Sequence, residues 1–206
     1  MPPKKLKESI TFLVNIGVVR HGTQSNSRLL DKAKFILKHI IQKKIFLRPK
    51  DEVGVMLMGS DCGESDTGMD NVQELCSMQI GNWDLIESIE KLQTTNQSCS
   101  WMEGIFAAVE YMKRECVDLS ERKIILLSDF NEDEDIVSQF QVEDIAKALS
   151  SEGIFLIAIG ERALDSTDKN CTASEALLSD VLQVKEVIEA SRFIEEQSEN
   201  ELIIYL

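Results

Sequence analysis

Histidine is nearly absent from this chain: 206 residues contain two, His21 and His39. Hydrolytic chemistry near neutral pH usually needs an imidazole held beside a nucleophile and an acid. Ser25 and Ser27 are near His21 in sequence, but nothing places a nucleophile against either imidazole, and no enzyme is expected. The five cysteines (Cys62, Cys76, Cys99, Cys116, Cys171) are odd in number, scattered and without a C-x-x-C pair. That spacing offers neither a disulfide framework nor a zinc site, and free thiols fit a reducing compartment. Positive charge is also scarce, with 22 Lys and Arg against 36 Asp and Glu and a net charge of −14. Nucleic-acid affinity rests largely on Lys and Arg displacing counterions from phosphates, so direct DNA binding by this domain alone is not expected. Membership of a larger DNA-binding assembly stays open. No apolar run approaches the ~18 residues a membrane span needs, so no membrane is expected. The stretch after Lys4-Lys5-Leu6-Lys7 is interrupted by Asn15 and followed by Arg20-His21, which suits a first strand and not a signal peptide. G-x-G-x-x-G and G-x-x-x-x-G-K-[ST] are both missing, which leaves nucleotide binding without support.

What is present is a regular alternation. Ile10–Val14, Val53–Met58, Lys123–Leu127 and Ile154–Ile159 are almost continuously apolar. Strands of that kind need cover on both faces, as in a parallel sheet with helices above and below. Val72–Ile80 is mixed, with Glu74 and Gln79, and predicts an edge strand.

Between the strands lie helical signals. Leu29–Phe46 places Leu30, Ala33, Leu37 and Ile41 on one face and Lys32, Lys38 and Gln42 on the other. Asn82-Trp83-Asp84 opens a second helix that runs to about Leu92. Capping boxes, in which Ser or Thr is followed three residues later by Glu or Gln, start at Ser100, Ser138, Thr172 and Ser198. Gly153 stands where a left-handed terminator of the 141–151 helix belongs. A short strand over Arg192-Phe193-Ile194 and a terminal helix over Leu202–Leu206, whose apolar residues would equally suit a strand, complete the order β-α-β-β-α-α-β-α-β-α-β-α. The expected fold is an α/β, doubly wound, mostly parallel six-stranded sheet with helices on both faces. Residues 1–206 are read as one domain, excised from a longer chain.

Ligands of such sheets sit at the carboxyl ends of strands where strand order reverses, here between Asn15 and Asp129. The same topology with a metal is the von Willebrand A fold, and the chain resembles it at these residues. That family binds Mg²⁺ through D-x-S-x-S after the first strand, a Thr before a central helix and an Asp after the fourth strand, since hard cations need convergent oxygens. The matching positions here are Asn15, Gly17, Val19, Cys99 and Asp129, and only Asp129 keeps its type. The metal site is degenerate, and no metal or other cofactor is expected. The acidic run Asp129–Asp135 imitates a calcium loop, but Glu134 and Phe140 stand where Gly and Glu are required, so it reads as a solvated loop.

Within the fold, Lys50-Asp51-Glu52-Val53 leading to Leu57-Met58-Gly59-Ser60-Asp61, the Asn82–Ile89 segment and the Asn15-Ile16-Gly17 turn are similar to the amino-terminal domain of the Ku family. The likeness is to the larger Ku subunit in particular and is colinear from about Ile10 to Ile159. It implies a nuclear, non-catalytic interaction domain in non-homologous end joining. The implied partners are the smaller Ku subunit and short repair-factor peptides with basic and aromatic residues. The positions matching the family's peptide pocket are Met69, Ser100, Phe106 and Val109. The alternative is a scaffold A-domain of another intracellular complex, of proteasomal or transcription-factor type.

Overall fold

Strand β1 (Lys7–Asn15) is buried at eight of its nine positions, as a strand needs when it has neighbours on both edges and layers on both faces. In the computed structural model, which describes residues 6–18, 27–61, 69–116, 120–130, 132, 142–160, 174, 176–182 and 188–199, β1 is central. It pairs in parallel with β2 (Glu52–Met58) on one side and β4 (Ser120–Leu127) on the other. Beyond β2 the edge strand β3 (Val72–Ile80) runs antiparallel, through a register shift near Val55. Beyond β4 come β5 (Ile154–Gly160) and the two-residue β6 (Ile188–Glu189), both parallel. The order is β3-β2-β1-β4-β5-β6. This is the six-stranded, mostly parallel sheet expected from the apolar runs.

Because side chains alternate across a strand, β1 feeds two cores. Leu13 joins Met56, Met58, Ile124 and Leu126 beneath α3 (Trp101–Glu115), α4 (Val142–Ser151) and a π-helical turn, Leu177–Val181. Ile10, Phe12 and Val14 join Val53, Val55 and Ile125 beneath α1 (Ser27–Leu47), α2 (Trp83–Glu90) and α5 (Ala190–Glu199). The inward face of α1 is the predicted one, with Leu30, Ala33, Leu37 and Ile41 all buried. Local signals act where expected. Asn82 Oδ1 accepts from Leu85 N at 2.8 Å, Ser100 and Glu103 form a complete capping box, and Gly153 ends α4 with φ +62°.

A buried charge network ties α1 to the amino ends of β1, β2 and β4. Lys44 Nζ donates to Asp51 at 2.9 Å and also to Glu8; Lys123 pairs with Glu8, and Arg48 with Asp51 at 3.2 Å. Burial alone would raise the Glu8 carboxyl, but the hydrogen bonds and charges of Lys123 and Lys44 together hold it below its ordinary range.

Two expectations fail. Arg192-Phe193-Ile194 is helical, within α5, and the last described strand lies four residues earlier at Ile188–Glu189. A two-residue strand carries no periodicity to read, whereas Ala190 and Phe193, three apart, are both buried as one helical face requires. Ser198 consequently lies near the end of α5 and not at a helix start. The segments expected to open helices at Ser138 and Thr172, the 161–171 loop and the 202–206 helix lie largely or wholly outside the described residues.

Candidate functional site

The crevice at the carboxyl ends of β1 and β4 is where this topology places a ligand, and here the protein's own backbone closes much of it. The turn after β1 is held on both sides. Ile16 N donates to Met58 O and Val18 N to Gln97 O, each at 2.9 Å, and Ile16 O accepts from Thr95 N at 2.9 Å. Asn15 Oδ1, buried, accepts from Gly17 N at 2.9 Å, so the residue matching the family's first Asp is committed to shaping its own turn. Thr95 Oγ1 donates to Gly59 O, and Asn71 Nδ2 to Ser98 O at 3.2 Å, drawing the 95–98 segment over the sheet end.

Gly17 is the decisive position. A Cβ there would lie 2.2 Å from Gln97 O and 2.9 Å from Gly59 Cα, both backbone atoms. A serine hydroxyl, which the metal-binding pattern needs at this place, has no room without moving the backbone. Gly59 shares the contact and has φ +74°, a conformation that favours glycine.

The other ligand positions fit a cation no better. Cys99 takes the threonine position, and burial, with Glu103 beside it, pushes its thiol up to about 12, so it stays protonated. Val19 lies outside the described residues. Asp129 accepts from Ser128 Oγ at 3.4 Å and has further interactions. The residues present do not form an oxygen cage for Mg²⁺, and among the described residues no cluster of His, Cys, Asp and Glu suits a metal.

An acidic side chain nevertheless reaches the site. Glu132 accepts through Oε2 from Ser100 Oγ at 2.7 Å and through Oε1 from Trp101 N at 2.6 Å, closing the amino end of α3. Unsatisfied N–H groups and the helix dipole make that end receptive to an anion. Burial pushes the Glu132 carboxyl up to about 7; Asp129 and Glu103 add to the shift, while the bonds from Trp101 and Ser100 oppose it. Phe130, beside it in the chain, adopts φ 54° and is fully buried, its ring edge-on to Trp101 at 5.7 Å. The acidic run is therefore not simply a solvated loop: Phe130 anchors it in the core and Glu132 docks it on α3. Asn131 and residues 133–135 lie outside the described residues. Sequence reasoning missed Glu132 because its partners are more than thirty positions away, though the helix-start signal at Ser100 marked where an anion would be welcome.

The four pocket positions are not alike. Ser100 caps α3, and Met69 is partly buried against the core beneath that helix. Val109, expected to line a groove, is 1% exposed and belongs to the core. Phe106 is 40% exposed on the outer face of α3, with Glu103 three residues before it and Glu110 four after. Helical spacing puts those carboxylates on the same side of the helix as the ring. Residues 62–68 of the neighbouring loop lie outside the described residues. Of the histidines, His39 stacks on Phe35 within α1 at 6.1 Å, and His21 is not among the described residues.

Comparison with known proteins agrees with this architecture. The sequence profile of the Ku70/Ku80 N-terminal alpha/beta domain matches residues 9–201. X-ray repair cross-complementing protein 5 of Xenopus laevis is 20% identical over 115 residues, which is 53% of this chain and 16% of that protein.

Proposed function

Because the chain belongs to the Ku70/Ku80 N-terminal alpha/beta domain family, we propose that it is a non-catalytic interaction domain of a larger Ku subunit in DNA double-strand break repair. In this reading it recruits end-joining factors in the nucleus by binding short peptides with basic and aromatic residues, as part of a protein that pairs with the smaller Ku subunit. The likeness to a protein named for X-ray repair supports the setting. The closed crevice supports the absence of metal-dependent adhesion chemistry. Phe106 carries the proposal: a large ring left 40% exposed on a helix whose other apolar side chains are buried, and flanked by Glu103 and Glu110.

Such an arrangement suits an apolar anchor followed by a cation. The net charge of −14 would draw basic segments from about a Debye length, ~10 Å at 0.1 M salt, which mainly speeds encounter. Affinity would come from desolvating the ring, since a few buried aromatic contacts dominate most interfaces. Met69 and Ser100 would border the anchor, and Val109 would support it from within the core.

The test is fluorescence anisotropy with a labelled peptide of Lys and Arg around one Trp. Phe106→Arg should weaken binding by at least ~2 kcal/mol, about 30-fold, with little change in melting temperature. Unchanged binding in a folded variant would remove Phe106 from the site.

A further inference from the structure

Eight large apolar side chains are exposed among the described residues, and five of them, Leu6, Phe46, Leu47, Ile80 and Trp83, gather at one end of the molecule. Leu6 precedes β1, Phe46 and Leu47 end α1, Ile80 lies opposite Glu52 at the start of β2, and Trp83 begins α2. These are the amino ends of the parallel strands, opposite the closed crevice and α3's amino end. Phe46 and Trp83 are 71% and 50% exposed yet lean edge-on against each other, ring centroids 6.2 Å apart. Beside them runs a groove of about 660 Å³ lined by Leu6, Lys7, Leu47, Arg48, Pro49, Lys50 and Asp51.

The charge here is opposite to that of the whole chain. Residues 43–50 (KKIFLRPK) hold four cations and no acid, in a chain with 36 acidic and 22 basic side chains. Of the three cations that line the groove, Arg48 is paired with the buried Asp51 at 3.2 Å and Lys7 with Glu52 at 2.7 Å, which leaves Lys50 to set the charge of the opening. Lys50 is exposed and makes no ion pair among the described residues.

The groove is also preformed. Arg48 donates to Leu6 O at 3.0 Å, and Asp51 N donates to Arg48 O at 2.9 Å. A pinned loop has little freedom left to lose on binding, which lowers the cost of association.

We propose that this groove and the Phe46–Trp83 pair form a second docking surface, whose occupant is an acidic segment of a partner protein with an aromatic or branched aliphatic anchor. The exposed rings supply the apolar contact, and Lys50 supplies the complement to an Asp or Glu beside the anchor. A nucleic acid fits less well. It needs several uncommitted cations, whereas Arg48 and Lys44 are spent on Asp51 and Glu8, and the whole chain is at −14. One or two carboxylates ask for much less. The surface does not depend on the Phe106 site, so each can fail alone.

The two tryptophans make the test direct, because Trp101 is fully buried and Trp83 is half exposed. Random peptides displayed on phage are selected on the full chain, and the enriched sequences are synthesised without Trp. The expected selection is acidic peptides with a Phe, Tyr, Leu or Ile anchor. They should protect Trp83 from acrylamide quenching, and Phe46→Ser and Lys50→Glu should each weaken them at least about tenfold. Phe106→Arg should leave them unchanged. Both substituted side chains are exposed, so the fold should survive, and an unchanged melting temperature checks it. Failure to enrich any peptide, enrichment of basic peptides, or binding indifferent to Phe46 and Lys50 would overturn the proposal. So would protection of Trp83 by a DNA or RNA oligonucleotide in place of the acidic peptides.

Discussion

Gly17 and Glu132 shape the switch point, one by close backbone contact and the other by docking on the amino end of α3. Gly17 lets the turn after β1 touch the Gln97 carbonyl, and a Cβ at 2.2 Å from that oxygen would force two backbone segments apart. Gly17→Ala is therefore expected to cost about 3 kcal/mol, toward the upper end for overpacking, and to lower the melting temperature by roughly 6–12 °C. A variant as stable as wild type would show that the crevice is not closed by this contact. Glu132 gives a pH signature. Its folded pKa, about 7, lies above its ordinary 4.5, so the native state holds a proton that the unfolded chain has released. Stability from this group is then highest below about pH 4.5, falls as pH rises toward 7, and stays low above that. Glu132→Gln, which imitates the protonated form, should match wild type near pH 4 and exceed it by on the order of 3 kcal/mol at pH 8. Loss of stability at pH 8 would mean that the helix end prefers the carboxylate and that its dipole outweighs burial.

At the scale of elements, β1 shows most clearly why much of the fold was legible. A strand with neighbours on both edges and helices on both faces buries nearly every side chain, so Ile10–Val14, apolar but for Thr11, announced its place. Asn82 and Ser100 announced helix starts because capping is local, settled within three residues. The elements that escaped lack such local rules. β6 is two residues long and defined only by its pairing with Ile159 and Gly160, so an apolar pair four residues later looked like the better strand. The charge network beneath the sheet was equally hidden, because Glu8, Lys44, Asp51 and Lys123 come from four separate segments. Removing its centre, as in Lys44→Ala, leaves Glu8 and Asp51 buried without their main partner and should cost about 3–5 kcal/mol in chemical denaturation. An effect under ~1 kcal/mol would place the network in solvent. Acid should weaken it as well: the Glu8 carboxyl is held below 4.5, so its contribution is present above that pH and is lost as pH falls through the lowered value.

At the scale of the molecule, the departures from the metal-binding pattern were legible in the sequence, and the contacts that fill the candidate site were not. Gly17 and Cys99 in place of hydroxyls spoke against a metal from sequence alone. The exposure of Phe106 and the burial of Val109, three residues apart on one helix, depend on what α3 packs against. Whole-molecule charge makes a separate prediction. At −14 the chain offers duplex DNA little counterion release, so an electrophoretic shift at low salt should show no retarded band at micromolar protein. A retarded band would contradict the charge argument.

The proposal that this domain binds a peptide without the help of a cation is tested most directly by one titration. The affinity of a basic, aromatic-anchored peptide is measured for wild type and Phe106→Arg, in EDTA and again with Mg²⁺ in excess. The account predicts equal binding in the two solutions and a loss of at least about 30-fold in the variant. Binding that requires Mg²⁺, or that survives Phe106→Arg in a folded protein, would contradict it.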